Sequence, residues 1–286
     1  MISRSRNWTI ITITLIIVAM LGIIAIGLGS VGLSIPEILN TLFNTPSKAV
    51  HTTIIWDIRL PRVLLALIIG ANIAISGALL QGVMGNPLAD PGLTGVTSGA
   101  AACVMVIMLA APTYTQYIPL AAFIGGLIAA TIVYSLAWRR NGISPITIIL
   151  SGVAVNALCG GVIGYLSIMY SDRLPTAVQW LNGSLASKGH GALNMVYPYA
   201  IVGWILSILA IRKANIIRLG DQVATNLGEN VNRIRILLSL LAVFLAAISV
   251  AAIGMIGFVG LIVPHMARML VGSDYNNLIT IGRSLV

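Results

Sequence analysis

The chain has 286 residues, 58% of them hydrophobic and only 8% charged, with a mean hydropathy of +1.01. Soluble domains carry about a quarter charged residues, so this composition excludes a water-soluble protein and defines a membrane protein with little mass outside the bilayer. The net charge of +9 is spread over segments between apolar runs, which reads as topology and contact with anionic lipid, not as a nucleic-acid face.

Arg4 and Arg6 precede an apolar run from about Trp8 to Gly29. It is longer than a signal-peptide core and is read as a retained first span behind a short cytoplasmic N-terminus, residues 1–7. The second span follows Pro61, whose fixed φ suits a first helical turn, and runs from Arg62 to Met84. Gly70, Ala74, Ala78 and Gly82 recur every fourth residue and predict a face that a second helix backbone can approach. Asn72 and Ser76 lie on the other side, so neither face suits lipid and the helix belongs in the middle of a bundle. The run breaks at Gly85-Asn86-Pro87, with Pro91-Gly92 just beyond and Asp90 as the one charge in the return.

Further spans are predicted at roughly 93–112, 118–138, 145–170, 195–212 and 232–253, with a shorter run at 258–271. That makes an all-α polytopic membrane protein of about eight spans and a single domain, 1–286. Orienting the N-terminus to the cytoplasm places eleven Lys and Arg inside against five outside: Lys48, Arg59, Arg62, Arg173 and Lys188. Arg59 and Arg62 stand against that bias. They crowd a predicted helix N-terminus, where the dipole disfavours cations. Lipid phosphate or an acidic residue on an extracytoplasmic partner would account for them.

All seven acids, Glu37, Asp57, Asp90, Asp172, Asp221, Glu229 and Asp274, fall in loops or at span ends. Ion-coupled carriers place an ionisable group inside the membrane, so the energy for pumping is expected from another source. Cys103 and Cys159 lie inside apolar runs, His51, His190 and His265 have no ligand spacing, and there is no phosphate-binding glycine loop. No catalytic residue, cofactor or metal is therefore expected.

In the fifth span, Gly152, Asn156, Gly160 and Gly164 form a second small-residue stripe, with Asn156 suited to interhelical bonding or to lining a pathway. The outer loop Ser171–Asn194 contains VQWLNGSL, which reads as a short surface or re-entrant helix. The cytoplasmic loop, about 213–232, predicts a short amphipathic helix with Asp221 as N-cap, an apolar side of Val223, Ala224 and Leu227, and Gly228 as its stop. Such a helix either lies on the membrane surface or serves as a handle for a cytoplasmic partner. In AAIGMIGFVGLIVPHMARML the last two runs are joined without a charge, which requires a connection buried in protein or lining a cavity. Pro264 is expected to kink or start the last helix.

Taken together, RLPR at 59–62, SGALLQG at 76–82, NPLADPGLTG at 86–95, the pattern from Gly220 to Arg235 and GFVGLIVPHMAR at 257–268 resemble the FecCD family of permeases. These are membrane subunits of ABC importers for ferric siderophores, haem and cobalamin. The resemblance implies a ten-helix subunit that dimerises with a second permease subunit, docks an extracytoplasmic binding protein and rests on cytoplasmic ATPase subunits. It implies that Arg59 and Arg62 meet acidic residues of the binding protein, and that Gly220, Asp221, Ala224, Leu227 and Gly228 belong to the helix that couples to the ATPase. It places Ser144 and Pro145 at the cytoplasmic gate, and Asn86, Pro87 and Asn156 are further candidates for the pathway or gate. The family continues with two more helices where this chain ends at Val286, so a C-terminus truncated after about 272 is expected. The resulting expectation is a multi-pass inner-membrane permease subunit, itself no enzyme, for an iron–siderophore-type chelate. Haem or cobalamin import, a secondary transporter and a non-transporting assembly protein are the alternatives.

Overall fold

The computed structural model describes residues 4–43, 49–140, 142–186, 188–272 and 274–275. Lys48, Arg283 and the expected C-terminal truncation lie outside the described residues, apart from the stretch up to Tyr275. The fold is all-helical apart from one two-stranded hairpin, and six helices are long and apolar enough to cross a membrane among the described residues. Two of the eight expected spans are shorter: Val96–Ala110 and Val259–Val271. The first is cut back because Leu93 is held in the turn Pro91–Thr94, and Gly95 then takes the left-handed region at φ 78°.

α1 (Arg4–Gly27) leads to the small α2 (Ile35–Phe43) and α3 (Ala49–Thr52). From α3 the chain winds through a π-helical stretch, Thr53–Arg59, directly into α4 (Leu60–Met84). Val50–Met84 is thus one continuous apolar helix of 35 residues. At ~1.5 Å per residue it is about 52 Å long, well beyond a ~30 Å bilayer core. Arg59 and Arg62 therefore sit within a helix and not at its start, which corrects the expected dipole conflict. Pro61 cannot donate to the carbonyl five residues back in the π register, and that carbonyl, Trp56 O, is met instead by His190 Nε2 at 2.9 Å.

The connection after α4 is a chain of local caps. Gly85 turns left-handed, Asn86 Oδ1 accepts from Leu88 N, and Asp90 accepts from Gly92 N at 2.7 Å. Burial pushes the Asp90 carboxyl above its usual range, opposed by that hydrogen bond. α5 (Val96–Met105) ends in a π turn, Val106–Ala110, and α6 (Ile118–Ala137) follows. The hairpin β1 (Trp138–Arg139) and β2 (Gly142–Ile143) passes to α7 (Pro145–Met169), then α8 (Leu174–Leu181), α9 (His190–Arg218), α10 (Asp221–Asn226), α11 (Val231–Ile253) and α12 (Val259–Val271).

α4 and α11 are the central pair and pack on each other, with α9 against both, α6 against α11 and α12 against α4. The polar residues of α4 explain its position. Asn72 is fully buried and accepts from Trp204 Nε1 at 2.8 Å, while the equally buried Ser76 donates to Ala242 O at 2.6 Å. In a bilayer these groups need protein partners, and only a helix surrounded by others offers them. On α4 the backbone of α12 comes close at Gly77, one position off the predicted stripe: a Cβ there would run into Gly260 O. Gly82 of the stripe faces the Tyr275 hydroxyl instead, which itself donates to Ala78 O at 2.7 Å.

α12 begins at Val259, so Pro264 lies inside it and not at its start. The proline leaves the Gly260 carbonyl without its i+4 donor. Gln81 Nε2 comes to 3.4 Å from both Gly260 O and Leu261 O, and Gln81 Oε1 accepts from Arg268. The uncharged connection before α12 is held at one side. Gly254 and Gly183, both left-handed, meet back to back after α8, and Ser184 N donates to Ile253 O at 2.8 Å. This docks the VQWLNGSL helix onto the end of α11.

Candidate docking and gating site

The ends of α4, α6, α9 and α12 and the starts of α7 and α11 meet at one end of the bundle. This end carries Arg139, Arg140, Arg212, Lys213, Arg218, Arg233, Arg235 and Arg268, and is called the basic end. A cavity of about 340 Å³ opens here. Its walls bring together residues far apart in sequence: Asn86 and Pro87 after α4, Pro145 at the start of α7, Gly220 and Asp221 at α10, and the guanidinium groups of Arg218, Arg235 and Arg268.

α10 is a six-residue helix between two left-handed glycines, Gly220 at φ 95° and Gly228 at φ 78°. Gly220 and not Asp221 is the N-cap. The Asp221 carboxylate is drawn away to Arg235, whose Nη2 lies 2.8 and 3.0 Å from its two oxygens. A charge-assisted bond to a guanidinium wins over a backbone cap, and the acid still lies in the first turn where the dipole favours it. The expected apolar side divides. Ala224 is fully buried, whereas Val223 and Leu227 are 44% and 59% exposed and face away from the chain. Lys213 and Glu229 close the loop with an ion pair at 3.3 Å.

Arg235 is the residue that sequence reasoning missed. It is 7% exposed, and besides Asp221 it donates through Nη1 to Ile143 O at 2.9 Å. Asn232, one turn earlier on α11, accepts from Ile143 N at 3.1 Å. Both backbone groups of Ile143, in the α6–α7 hairpin, are thus held by the first turns of α11, and the same arginine holds α10. Ser144 next to it caps α7, its hydroxyl and that of Thr147 forming a reciprocal capping box, with Pro145 in the first turn. In the sequence it stands at the end of the pattern that begins at Gly220, as an arginine inside the apolar start of α11, which charge counting alone assigns to topology.

Asn156 is brought to a different place. Its Oδ1 accepts from Ser98 Oγ and its Nδ2 donates to Gly92 O at 3.0 Å, so it ties α7 to the turn before α5. Of its stripe, Gly152 packs against the Leu93 carbonyl, whereas Gly160 and Gly164 have open space around them. The buried residues of α7 are Ile148, Gly152, Val155 and Leu166, and most of the rest of the helix faces outward.

At the opposite end, Arg59 is 8% exposed and its guanidinium donates to Ile26 O, Gly27 O and Val31 O at 2.6, 3.1 and 2.6 Å. It caps the carbonyl end of α1, where a cation is favoured. Its charge is therefore spent inside the chain. Arg62, half-buried, lines a crevice of about 460 Å³ with Leu28, Gly29, Val31 and Leu185, and its Nε has no partner among the described residues. Arg173 is a further cap, donating to Leu109 O at 2.8 Å.

A polytopic helical bundle with a structured loop helix at its basic end is the architecture of a transport permease. The FecCD transport family model matches residues 15–283, and the chain belongs to this family. It is 35% identical over 277 residues to the Fe(3+)-citrate import system permease protein YfmE of Bacillus subtilis, covering 96% of this chain and 82% of that one. It is 38% identical over 272 residues to the hemin transport system permease protein HmuU of Yersinia pestis, covering 93% and 80%. A cobalamin import permease, BtuC of Halobacterium salinarum, is 38% identical over 239 residues, covering 84% and 64%. Among solved structures, one described as an inward-facing metal-chelate type ABC transporter matches with a TM-score of 0.84 at 28% identity, over 96% of this chain and 84% of that one. The chain is an ABC importer permease of the FecCD family in a multi-pass membrane setting.

Proposed function

We propose that this permease carries a ferric chelate of the siderophore type inward across the cytoplasmic membrane, with its N-terminus and basic end in the cytoplasm. ATP is hydrolysed by separate subunits that grip α10, and the chain itself is no enzyme and holds no cofactor. The observation that carries this reading is the Arg235 bridge, because one buried guanidinium holds both α10 and the hairpin that opens α7. A push on α10 reaches the mouth of the 340 Å³ cavity through a single side chain. Exposed Val223 and Leu227 give the ATPase an apolar grip. The open glycines of α7 suit a second permease subunit and a wide path between the two copies. The ferric citrate relative supports an iron chelate as cargo, beside haem and cobalamin relatives of similar identity. A ligand screen of the cognate binding protein tests that choice: a ferric chelate is expected to bind, and selective binding of haem or cobalamin would overturn it.

Docking of the extracytoplasmic binding protein rests on Arg62, since Arg59 is committed to α1. Arg62→Glu is expected to slow binding-protein association about tenfold at low salt and less at high salt, with thermal stability in detergent unchanged. Association kinetics at two ionic strengths check this, and unchanged kinetics would return Arg62 to lipid contact. Arg59→Gln is expected to lower stability instead, because the Ile26 and Val31 carbonyls lose their guanidinium donor and Gly27 O keeps only Leu33 N.

A further inference from the structure

A second crevice, of about 230 Å³, lies between α6 and α11 on the outer surface of the bundle, in the half nearer the basic end. Its lining is unusual for a surface that faces lipid. Thr131, Tyr134 and Ser135 of α6 and Ser239 of α11 bring four hydroxyls to it, with Trp138 at the end nearer the membrane surface and Leu240 on the far wall. Trp138, Ser135 and Leu240 are exposed, so the crevice is open sideways.

Ser239 is the telling residue. Ser207 and Ser249, also buried in helices, each donate back to the carbonyl four residues earlier, and Thr131 does the same. Ser239 is 1% exposed and makes no such bond. Its hydroxyl faces that of Tyr134 across the α6–α11 seam, and neither makes a bond of good geometry to any other group among the described residues. The pair makes part of the crevice wall polar, and the exposed Ser135 hydroxyl extends that polar strip to the open side. Directly beyond Trp138, at the membrane surface, stand the exposed Arg139 and Arg140.

The order along α6 is therefore two cations, an interfacial tryptophan, a cluster of hydroxyls, and an apolar floor. This order matches a phospholipid read from its headgroup downward: phosphate, glycerol and ester oxygens, acyl chain. We propose that the α6–α11 crevice is a binding site for an anionic phospholipid of the leaflet at the basic end. Arg139 and Arg140 attract the headgroup, the exposed Ser135 hydroxyl bonds the ester region, and the acyl chain lies against Leu240. The site sits beside the α6–α7 hairpin, so an occupied crevice also steadies the element that Arg235 holds.

The test is lipid retention by the purified full chain, read by native mass spectrometry after titration with phosphatidylglycerol or phosphatidylcholine. Phosphatidylglycerol is expected to be retained in preference, by about fivefold for each of the two arginines. Arg139→Gln with Arg140→Gln should remove that preference, and both residues are exposed, so the fold is not at risk. Ser135→Ala should weaken retention of both lipids without changing the preference between them. Equal retention of the two lipids by the unchanged chain would overturn the proposal, as would a preference that survives loss of both arginines. A Leu240→Cys variant that cross-links to a second copy in native membranes would also overturn it, by showing the crevice covered by protein.

Discussion

Replacing Arg235 by methionine is expected to uncouple transport from ATP hydrolysis. The side chain is buried and holds Ile143 O and Asp221 together, so methionine keeps the packing volume and removes both ties. The stability cost is modest. Asp221 is left in a half-exposed position where water can solvate it, and the main loss is a single unsatisfied carbonyl, about 1–3 kcal/mol. The functional cost is larger, because couplings between distant sites typically amount to 5–150-fold, and about tenfold less cargo per ATP is expected here. Uptake and ATP turnover measured together in proteoliposomes check this. Assembly with the ATPase and its turnover should stay near those of the unchanged complex. Asp221→Ala should resemble Arg235→Met in uptake, and the double substitution should be no worse than either single one, as expected for one shared interaction. Additive losses would place the two residues in separate roles.

The second large effect is expected at Gln81. It is 4% exposed and has three tasks: its amide nitrogen faces the Gly260 and Leu261 carbonyls, and its oxygen accepts from Arg268. Leucine at this position would leave the Gly260 carbonyl without a donor, because Pro264 supplies none. It would also leave Arg268 beside Arg218 without the acceptor that anchors it. A loss of about 2–4 kcal/mol is expected from an orphaned carbonyl and an orphaned cation together. Thermal unfolding in detergent checks it. Gln81→Glu keeps an acceptor for Arg268 and should recover part of the loss. An unchanged unfolding temperature for Gln81→Leu would contradict this account of α12.

Much of the fold is legible in the sequence. Uniform hydropathy located the helices, Asn72 and Ser76 placed α4 at the centre, and Gly228 marked the end of α10. Family membership was legible in blocks such as SGALLQG and GFVGLIVPHMAR. What stayed hidden has physical reasons. When every face is apolar, periodicity carries no register, so Gly77 and not the four-residue stripe turned out to meet α12. A π-helical stretch has no sequence signature of its own, so Thr53–Arg59 was not seen to carry the helix past Pro61. Charge counting treats every arginine as a topological marker and cannot separate Arg59 and Arg235, buried on carbonyls, from Arg139 and Arg140, which are exposed. Gln81 shows no local sign of its task, because its partners lie about 180 residues away.

The most direct test of the coupling claim is uptake of a ferric chelate by proteoliposomes that hold the permease, its ATPase and its binding protein, with Val223→Asp and Leu227→Asp on α10. The unchanged complex should take up cargo only with ATP, and should continue when the proton gradient is dissipated. The α10 variant should lose both the ATPase subunits and uptake. Uptake without ATP, or full uptake by the α10 variant, would contradict the claim.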